Sequence, residues 1–272
     1  MDGVQVMTDT ALGIKDLSIG YTGKRGVYTV ADGINASLGK GELVALIGRN
    51  GAGKSTLLRT LAAYNSPLGG SITYDGTPLE SISMSQLARK MAVVLTDTSS
   101  VANMSVRELV SLGRTPYTNF LGVLSDNDKA VAAEAMKAMG IEKFALRDIA
   151  ALSDGERQKC MIAKALAQQT AVMMLDEPTA FLDYPSKVHL MRLLVRVARN
   201  EKKGIIVSTH DVDIALRMAD RIWLMNGGKL MTGTVDELSQ RGALNTFLDD
   251  EGVVYNIKEK RIEIKQENEI RF

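Results

Sequence analysis

Residues 43–56 read Leu43-Val44-Ala45-Leu46-Ile47-Gly48-Arg49-Asn50-Gly51-Ala52-Gly53-Lys54-Ser55-Thr56. A continuous apolar run, typical of a strand covered on both faces, passes straight into a glycine-rich loop. The next residues, 54–64, place Leu57, Leu58 and Leu61 on one helical face. Strand, loop and helix in this order are the required context of the phosphate-loop pattern Gly-x4-Gly-Lys-[Ser/Thr], here residues 48–55. Glycines let the backbone curl so that its N–H groups face an anion, where Cβ atoms would block the approach. A helix starting near Lys54 adds unpaired N–H groups and a partial positive charge. The candidate binding residues are Gly48, Asn50, Gly51, Ala52, Gly53, Lys54, Ser55 and Thr56. Lys54 brings a full charge to the β- and γ-phosphates, and the Ser55 hydroxyl takes a place on Mg²⁺.

Outward from this loop the pattern alternates strand and helix, which argues for an α/β fold. Residues 12–47 read as two or three strands, broken by the polar, glycine-bearing stretch 21–26. Residues 91–95 read as a short buried strand. Residues 105–169 change character: 106–112, 129–139 and 154–169 look helical, with no convincing strand between them. Alternation then returns, with strands at 172–175 and 205–208 around an amphipathic stretch at 186–199. The expected organisation is an α/β core from 10–95 and 170–235, an inserted helical part at 96–169, and a C-terminal extension at 236–272. In that extension, 253–257 and 262–264 are consistent with either a small hairpin or a frayed appendage.

Composition narrows the function classes. The chain has 272 residues, with 33 Lys and Arg against 32 Asp and Glu. A net charge of +1 removes the main electrostatic argument for nucleic-acid binding or an anionic membrane surface. One cysteine, Cys160, excludes an internal disulfide and a cysteine-based metal cluster, and fits a reducing compartment. The start, Met1 to Thr10, has no basic segment followed by an apolar stretch, so no secretory signal is expected. A spanning helix needs about 20 apolar residues, and the longest runs here are far shorter.

A second strand, Val172-Met173-Met174-Leu175, ends in Asp176-Glu177-Pro178. An apolar run ending in an acid is common at turns, but behind a phosphate loop it is the expected Walker B element. Asp176 would hold Mg²⁺ through its water shell, and Glu177 would orient and deprotonate an attacking water. The second acid carries the hydrolytic expectation, because a phosphate loop with one Asp can bind nucleotide without cleaving it. Ser153 with Glu156 three residues on is a capping box that opens a helix bearing Ile162, Ala163, Leu166 and Ala167.

With that helix the chain resembles a known family. Leu152-Ser153-Asp154-Gly155-Glu156-Arg157-Gln158 is similar to the LSGGQ-type signature of ABC-transporter ATPases. The phosphate loop, the signature and the Walker B strand fall in that family's order. A stretch like its D-loop, Ala180-Phe181-Leu182-Asp183, follows, and then His210 in Ser208-Thr209-His210-Asp211. The resemblance covers about residues 12–235 and implies a P-loop NTPase (RecA-like) core with a β-rich N-terminal part and an inserted α-helical subdomain. It implies ATP and Mg²⁺ as cofactors, sandwiched between two copies of the chain, with Ser153, Gly155 and Asp183 of one copy at the nucleotide of the other. It makes His210 the switch histidine at the γ-phosphate, and it puts Tyr21, with Tyr28 as competitor, against the adenine. The other histidine, His189, reads as an ordinary helix residue.

Two positions depart from the family pattern. Thr96 stands where the family has a metal-touching Gln, with Asp97 as a substitute, and Asp154 replaces a signature Gly. Neither departure touches Lys54, Ser55, Asp176, Glu177 or His210, so active hydrolysis is expected. Ser105 to Tyr117, with its Gly113-Arg114-Thr115-Pro116-Tyr117 portion, resembles a stretch of iron-chelate, haem and cobalamin importer ATPases. The resemblance implies integral membrane permease subunits docking near 96–117, an indirect link to a substrate-binding protein, no nucleic acid, and a peripheral place on the cytoplasmic face of the inner membrane. The alternatives are a soluble ATPase of the same family acting, for example, in metal-cluster assembly, an ABC ATPase of another transporter branch, or a nucleotide-binding regulator that does not hydrolyse.

Overall fold

In the computed structural model, residues 9–24, 26–95, 103–120, 122–249, 252–259 and 261–264 are described. Thr96 and Asp97 lie outside them. Two long antiparallel strands, Thr10–Gly23 (β1) and Gly26–Gly39 (β2), precede the phosphate-loop strand Leu43–Gly48 (β3) and the helix Lys54–Leu61 (α1). Next come Gly69–Tyr74 (β4), the two-residue strand Thr77–Pro78 (β5), Met84–Lys90 (α2) and Met91–Val94 (β6). The helical stretch holds Val106–Ser111 (α3), Asp126–Ala138 (α4) and Asp154–Ala167 (α5); among the described residues it adds only short 3₁₀ segments, the longest Leu112–Tyr117, and one isolated bridge, Ser105 to Asp148. Alternation resumes with Val172–Asp176 (β7), Tyr184–Glu201 (α6), Gly204–Ser208 (β8), Val212–Met218 (α7), Arg221–Asn226 (β9) and Lys229–Gly233 (β10). Val235–Gln240 (α8), Ala243–Asp249 (α9), Val253–Asn256 (β11) and Arg261–Ile264 (β12) end the description.

Among the described residues the central sheet runs β10-β9-β3-β8-β7-β6. Its strands are parallel except for the β10 edge. The continuous apolar runs are explained by cover on both faces. In β3, Val44 and Leu46 face one apolar cluster with β1, β2, β4 and α1, while Ala45 and Ile47 face α7, α8 and α9. In β7, Met173 and Leu175 face the helices α3 to α6, and Val172 and Met174 face the opposite cluster. Trp223, the sole tryptophan, sits on β9 opposite Leu46 of β3. It is fully buried, and its indole N–H finds no acceptor among the described residues.

The expected break at 21–26 is corrected. The ladder continues through Tyr21–Tyr28, Thr22–Val27 and Gly23–Gly26, so Tyr21–Gly23 and Gly26 are paired strand residues, and β1, β2 and β3 make three strands up to the phosphate loop. Polar side chains here mark an exposed ladder, not an interruption. The C-terminal alternatives resolve to a hairpin, β11 with β12, whose Tyr255 is buried and whose Tyr255 N–H donates to Asn245 of α9 at 2.9 Å.

The Gly113–Tyr117 motif is a lock on the C-terminal end of α5. A Cβ on Gly113 would stand 2.2 Å from the Lys164 carbonyl, so glycine alone permits this approach of backbone to backbone. The buried Arg114 donates to Asp128 at 2.9 Å, to the Ala167 carbonyl at 2.8 Å and to Gln169 at 2.8 Å. Tyr117 lies 4.0 Å beneath that guanidinium and donates its hydroxyl to the Gln168 carbonyl. A cation on the last carbonyls suits the helix dipole. Asp128 also accepts from Ser125, and the Ser125 hydroxyl, together with Arg114, holds its carboxyl down to about 2.

Candidate active site

The phosphate loop turns on Gly51 and Gly53, both with positive φ, and Gly53 caps α1 without any side-chain hydrogen bond. A Cβ at Gly53 would lie 2.5 Å from Val30 and 2.8 Å from Met225. The helix therefore presents its first N–H groups to the loop with no side chain in front of them. Lys54 is 5% exposed and folds its ammonium back on the loop, donating to the Gly48 carbonyl at 2.8 Å and the Arg49 carbonyl at 3.3 Å. Burial pulls its pKa down, against the opposing pull of Glu177 and Asp176. Gly48 closes β3 at the entrance to the loop. It is buried, and a Cβ there would stand 2.6 Å from the Met225 carbonyl of β9, so it serves strand packing and offers Lys54 a carbonyl.

Across the sheet, β7 and β8 end side by side. Ser208, at the end of β8, donates its hydroxyl to Asp176 at 2.5 Å and accepts from the Glu177 N–H at 3.0 Å. The Ser208 carbonyl accepts from the same N–H at 3.1 Å. Glu177 holds a left-handed φ of 50°, an uncommon state for a residue with a Cβ, and these bonds keep it there. His210 Nε2 lies 2.7 Å from Glu177 Oε1 and 3.4 Å from Lys54 Nζ. A carboxylate has no proton to give, so Nε2 carries one and donates to Glu177. The Lys54 ammonium then stands beside the ring nitrogen as a charge without a bond to it.

Lys54, Glu177 and His210 line one cleft of about 460 Å³ with Asn50, Ala52, Ser55 and Thr56. Gly51 and Gly53 border it too, as do Tyr21, Tyr28 and Val30. Tyr21 and Tyr28 face each other across the hairpin, and the Tyr21 hydroxyl pairs with Thr56 Oγ1 at 2.8 Å. That bond ties the aromatic to the first turn of α1. Tyr28 remains 69% exposed at the same mouth.

Ser153, Gly155 and Asp183 are placed elsewhere. Ser153 caps α5 in the expected box, accepting from Glu156 N at 3.3 Å, and the Glu156 carboxylate, accepting from Ser153, titrates below its usual range. Asp183 caps α6, accepting from Ser186 N at 3.0 Å. Ser153 and Gly155 border a second cleft of about 480 Å³ with Leu182, Pro185 and His189. Asp154 is turned onto Arg157 at 3.1 Å, one turn along its own helix. Phe181 is exposed with a φ of 65°. The described residues of one chain thus divide the expected site into two clefts.

Sequence reasoning missed Ser208, Thr179, Lys187 and Asp211. The last closes a network in which Lys187 and Thr179 donate to its two carboxylate oxygens at 2.6 and 2.8 Å. In the stretch Ser208-Thr209-His210-Asp211 the family pattern singles out the histidine alone.

The ABC transporter family model matches residues 31–180. An uncharacterized ABC transporter ATP-binding protein of Methanocaldococcus jannaschii is 40% identical over 243 residues, covering 89% of this chain and 82% of its own. The petrobactin import ATP-binding protein of Bacillus anthracis is 38% identical over 212 residues, 78% of this chain and 76% of its own. A solved ATP binding subunit of an ABC transporter superposes with a TM-score of 0.73 at 28% identity, covering 88% of this chain and 97% of that one. The chain belongs to the ABC transporter family, as one of its ATP-binding subunits, and it is an ATPase.

Proposed function

We propose that this chain powers an importer of iron–siderophore, haem or cobalamin, acting as two copies that close over two ATP molecules beneath membrane permease subunits. The observation that carries the hydrolytic part is the convergence of Lys54, Glu177 and His210 Nε2 in one cleft beside Asp176. Lys54 binds the β- and γ-phosphates with the N–H groups of residues 50–56, and Tyr21, with Tyr28 beside it, holds the base. Glu177 takes the proton of the attacking water. His210, donating from Nε2, trades its bond to Glu177 for one to the γ-phosphate, which frees the carboxylate to act as base.

Among the described residues no group of three His, Cys, Asp or Glu side chains converges as a metal cage. One hydroxyl, Ser55, and one carboxylate, Asp176, fit Mg²⁺, which keeps several waters and shares phosphate oxygens. When bound it supplies charge neutralisation between the phosphates.

The separation of Ser153, Gly155 and Asp183 from the phosphate cleft supports a composite site, in which each copy's signature helix completes the other's nucleotide pocket. The division into a core at 10–95 and 170–235, a helical part at 96–169 and an extension at 236–272 belongs to the same proposal. The petrobactin-import relative and the locked Gly113–Tyr117 motif support the importer branch. Among the described residues no helix is long and apolar enough to cross a membrane, so the membrane contact would be made through the permease near residues 96–117, on its cytoplasmic side. A substrate-binding protein would meet the permease, never this chain.

Two measurements test this. Glu177→Gln should bind ATP as the wild type does and lose about 10²–10⁴ in turnover; full turnover sinks the hydrolytic assignment. Affinity purification from native membranes should recover an integral membrane subunit. Recovery as a free ATPase, with no membrane protein at any salt concentration, would move the soluble alternative ahead.

A further inference from the structure

Asp211 occupies the N-cap position of α7, yet its side chain makes no capping bond there. An Asp at that position ordinarily accepts from the second or third N–H of its helix. Here both carboxylate oxygens are engaged elsewhere. Oδ1 accepts from Lys187 Nζ at 2.6 Å, and Oδ2 accepts from Thr179 Oγ1 at 2.8 Å. Thr179 is buried, two residues beyond Glu177, and Lys187 lies one turn into α6, its N–H bonded to the Asp183 carbonyl at 2.9 Å. The neighbour of Asp211 is His210, whose ring meets Glu177.

We propose that Asp211, braced by Lys187 and Thr179, is a positioning residue that sets His210 against Glu177 and makes the histidine follow the start of α6. The inference rests on the assignment of Glu177 and His210 to hydrolysis. An ordinary surface ion pair contributes little and is screened by salt. This one is three-quarters covered, its acid forgoes the local cap, and its second oxygen holds a buried hydroxyl. The bonds also close a ring: Glu177 to His210 on one side, Thr179 to Asp211 on the other, with Ser208 stitched to Asp176 and Glu177 between them. Within such a ring the left-handed Glu177 and the histidine cannot move independently. Lys187, bonded to Asp211 from the first turns of α6, joins that helix to the ring and so couples the histidine to the start of α6.

The test compares Lys187→Met, Lys187→Arg and Asp211→Asn with wild type and Glu177→Gln in the full chain. Steady-state ATPase kinetics, binding of a fluorescent ATP analogue and thermal melting are read for each. Misplacing a reacting group by a fraction of an ångström lowers turnover more than binding, so Lys187→Met and Asp211→Asn should each lose about tenfold in kcat, with KM and Kd within about twofold. Lys187→Arg keeps the ion pair and should retain kcat within about threefold of wild type. Lys187→Met combined with Asp211→Asn should lose no more than the worse single variant, because both break one connection. Wild-type kcat in Lys187→Met overturns the proposal. So does a loss of kcat matched by rises in KM and Kd, or one that tracks a fall in melting temperature and is not rescued by arginine. Turnover surviving in Glu177→Gln would instead overturn the assignment beneath it, so the two failures are distinguishable.

Discussion

Gly113→Ala adds one methyl group where the structure has no room for it. The new Cβ would stand 2.2 Å from the Lys164 carbonyl oxygen, 3.2 Å from its carbon and 3.0 Å from the Ala167 Cβ. A carbon and a carbonyl oxygen settle at about 3.3 Å, so the segment and α5 must part by roughly 1 Å. The opposing atoms are helix backbone, with no rotamer to turn aside, which puts the cost near the upper part of the overpacking range, about 2–3 kcal/mol. At about 2–4 °C per kcal/mol for a chain of this size, the melting temperature should fall by about 4–12 °C. Arg114 would be dragged from Asp128 and the Ala167 carbonyl by the same displacement. Because α5 begins at the Ser153 cap, its tilt should also lower kcat. Scanning calorimetry with far-ultraviolet circular dichroism measures the first effect. Gly23→Ala is the control: among the described residues no atom lies within 4 Å of its Cβ and its φ is ordinary, so a shift within about 0.5 kcal/mol is expected. A Gly113→Ala protein melting within about 1 °C of wild type would refute the packing account of the motif.

Further outcomes follow from the site. Tyr21→Ala and Tyr28→Ala should each raise the KM for ATP by about 2–10-fold, the share of one aromatic stacking contact; if Tyr28→Ala alone leaves KM unchanged, Tyr21 carries the base by itself. Ser208→Ala removes the hydroxyl that bonds buried Asp176 and should cost about 1.5–3 kcal/mol in urea denaturation, with a parallel loss of kcat. Burial pushes the Cys160 thiol up to about 11, so at pH 8 its thiolate share is about 10⁻³ and a thiol reagent should titrate it only after denaturation. Rapid labelling of the native chain at pH 8 would contradict the packing around α5.

The sequence was most legible where a local pattern and its physical cause share a few residues. Gly51 and Gly53 in front of Lys54, the paired acids closing β7, and the serine cap at the start of α5 are all of this kind. Some misses were legible in principle. The β9–β10 hairpin announces itself in Asn226-Gly227-Gly228, whose two glycines both take positive φ in a two-residue turn. The box Ser83 with Gln86 announces α2. The expected break at 21–26 failed for a different reason, since a ladder held by backbone bonds tolerates polar side chains on an exposed edge. The Ser208 and Asp211 networks are of a third kind. They join residues about 30 positions apart across neighbouring strand ends, a distance that no local pattern encodes. Glu177 and His210 could be assigned one at a time from motifs, but not the hydrogen bond between them, nor the proton on Nε2 that it requires.

The buried tryptophan on β9 makes the catalytic sheet optically distinct. Its indole is fully covered, has no hydrogen-bond acceptor among the described residues and stands opposite Leu46 in the strand that feeds the phosphate loop. An indole so placed emits at short wavelength, and its quantum yield depends on whether water reaches that strand. The helices α3, α4 and α5 carry no tryptophan, so they are silent in this channel yet contribute strongly to the far-ultraviolet dichroism. Unlabelled protein therefore reports loosening of the sheet in its fluorescence, apart from the melting of all the helices seen in the dichroism, and a lag between the two signals would show whether sheet and helices come apart in sequence or together.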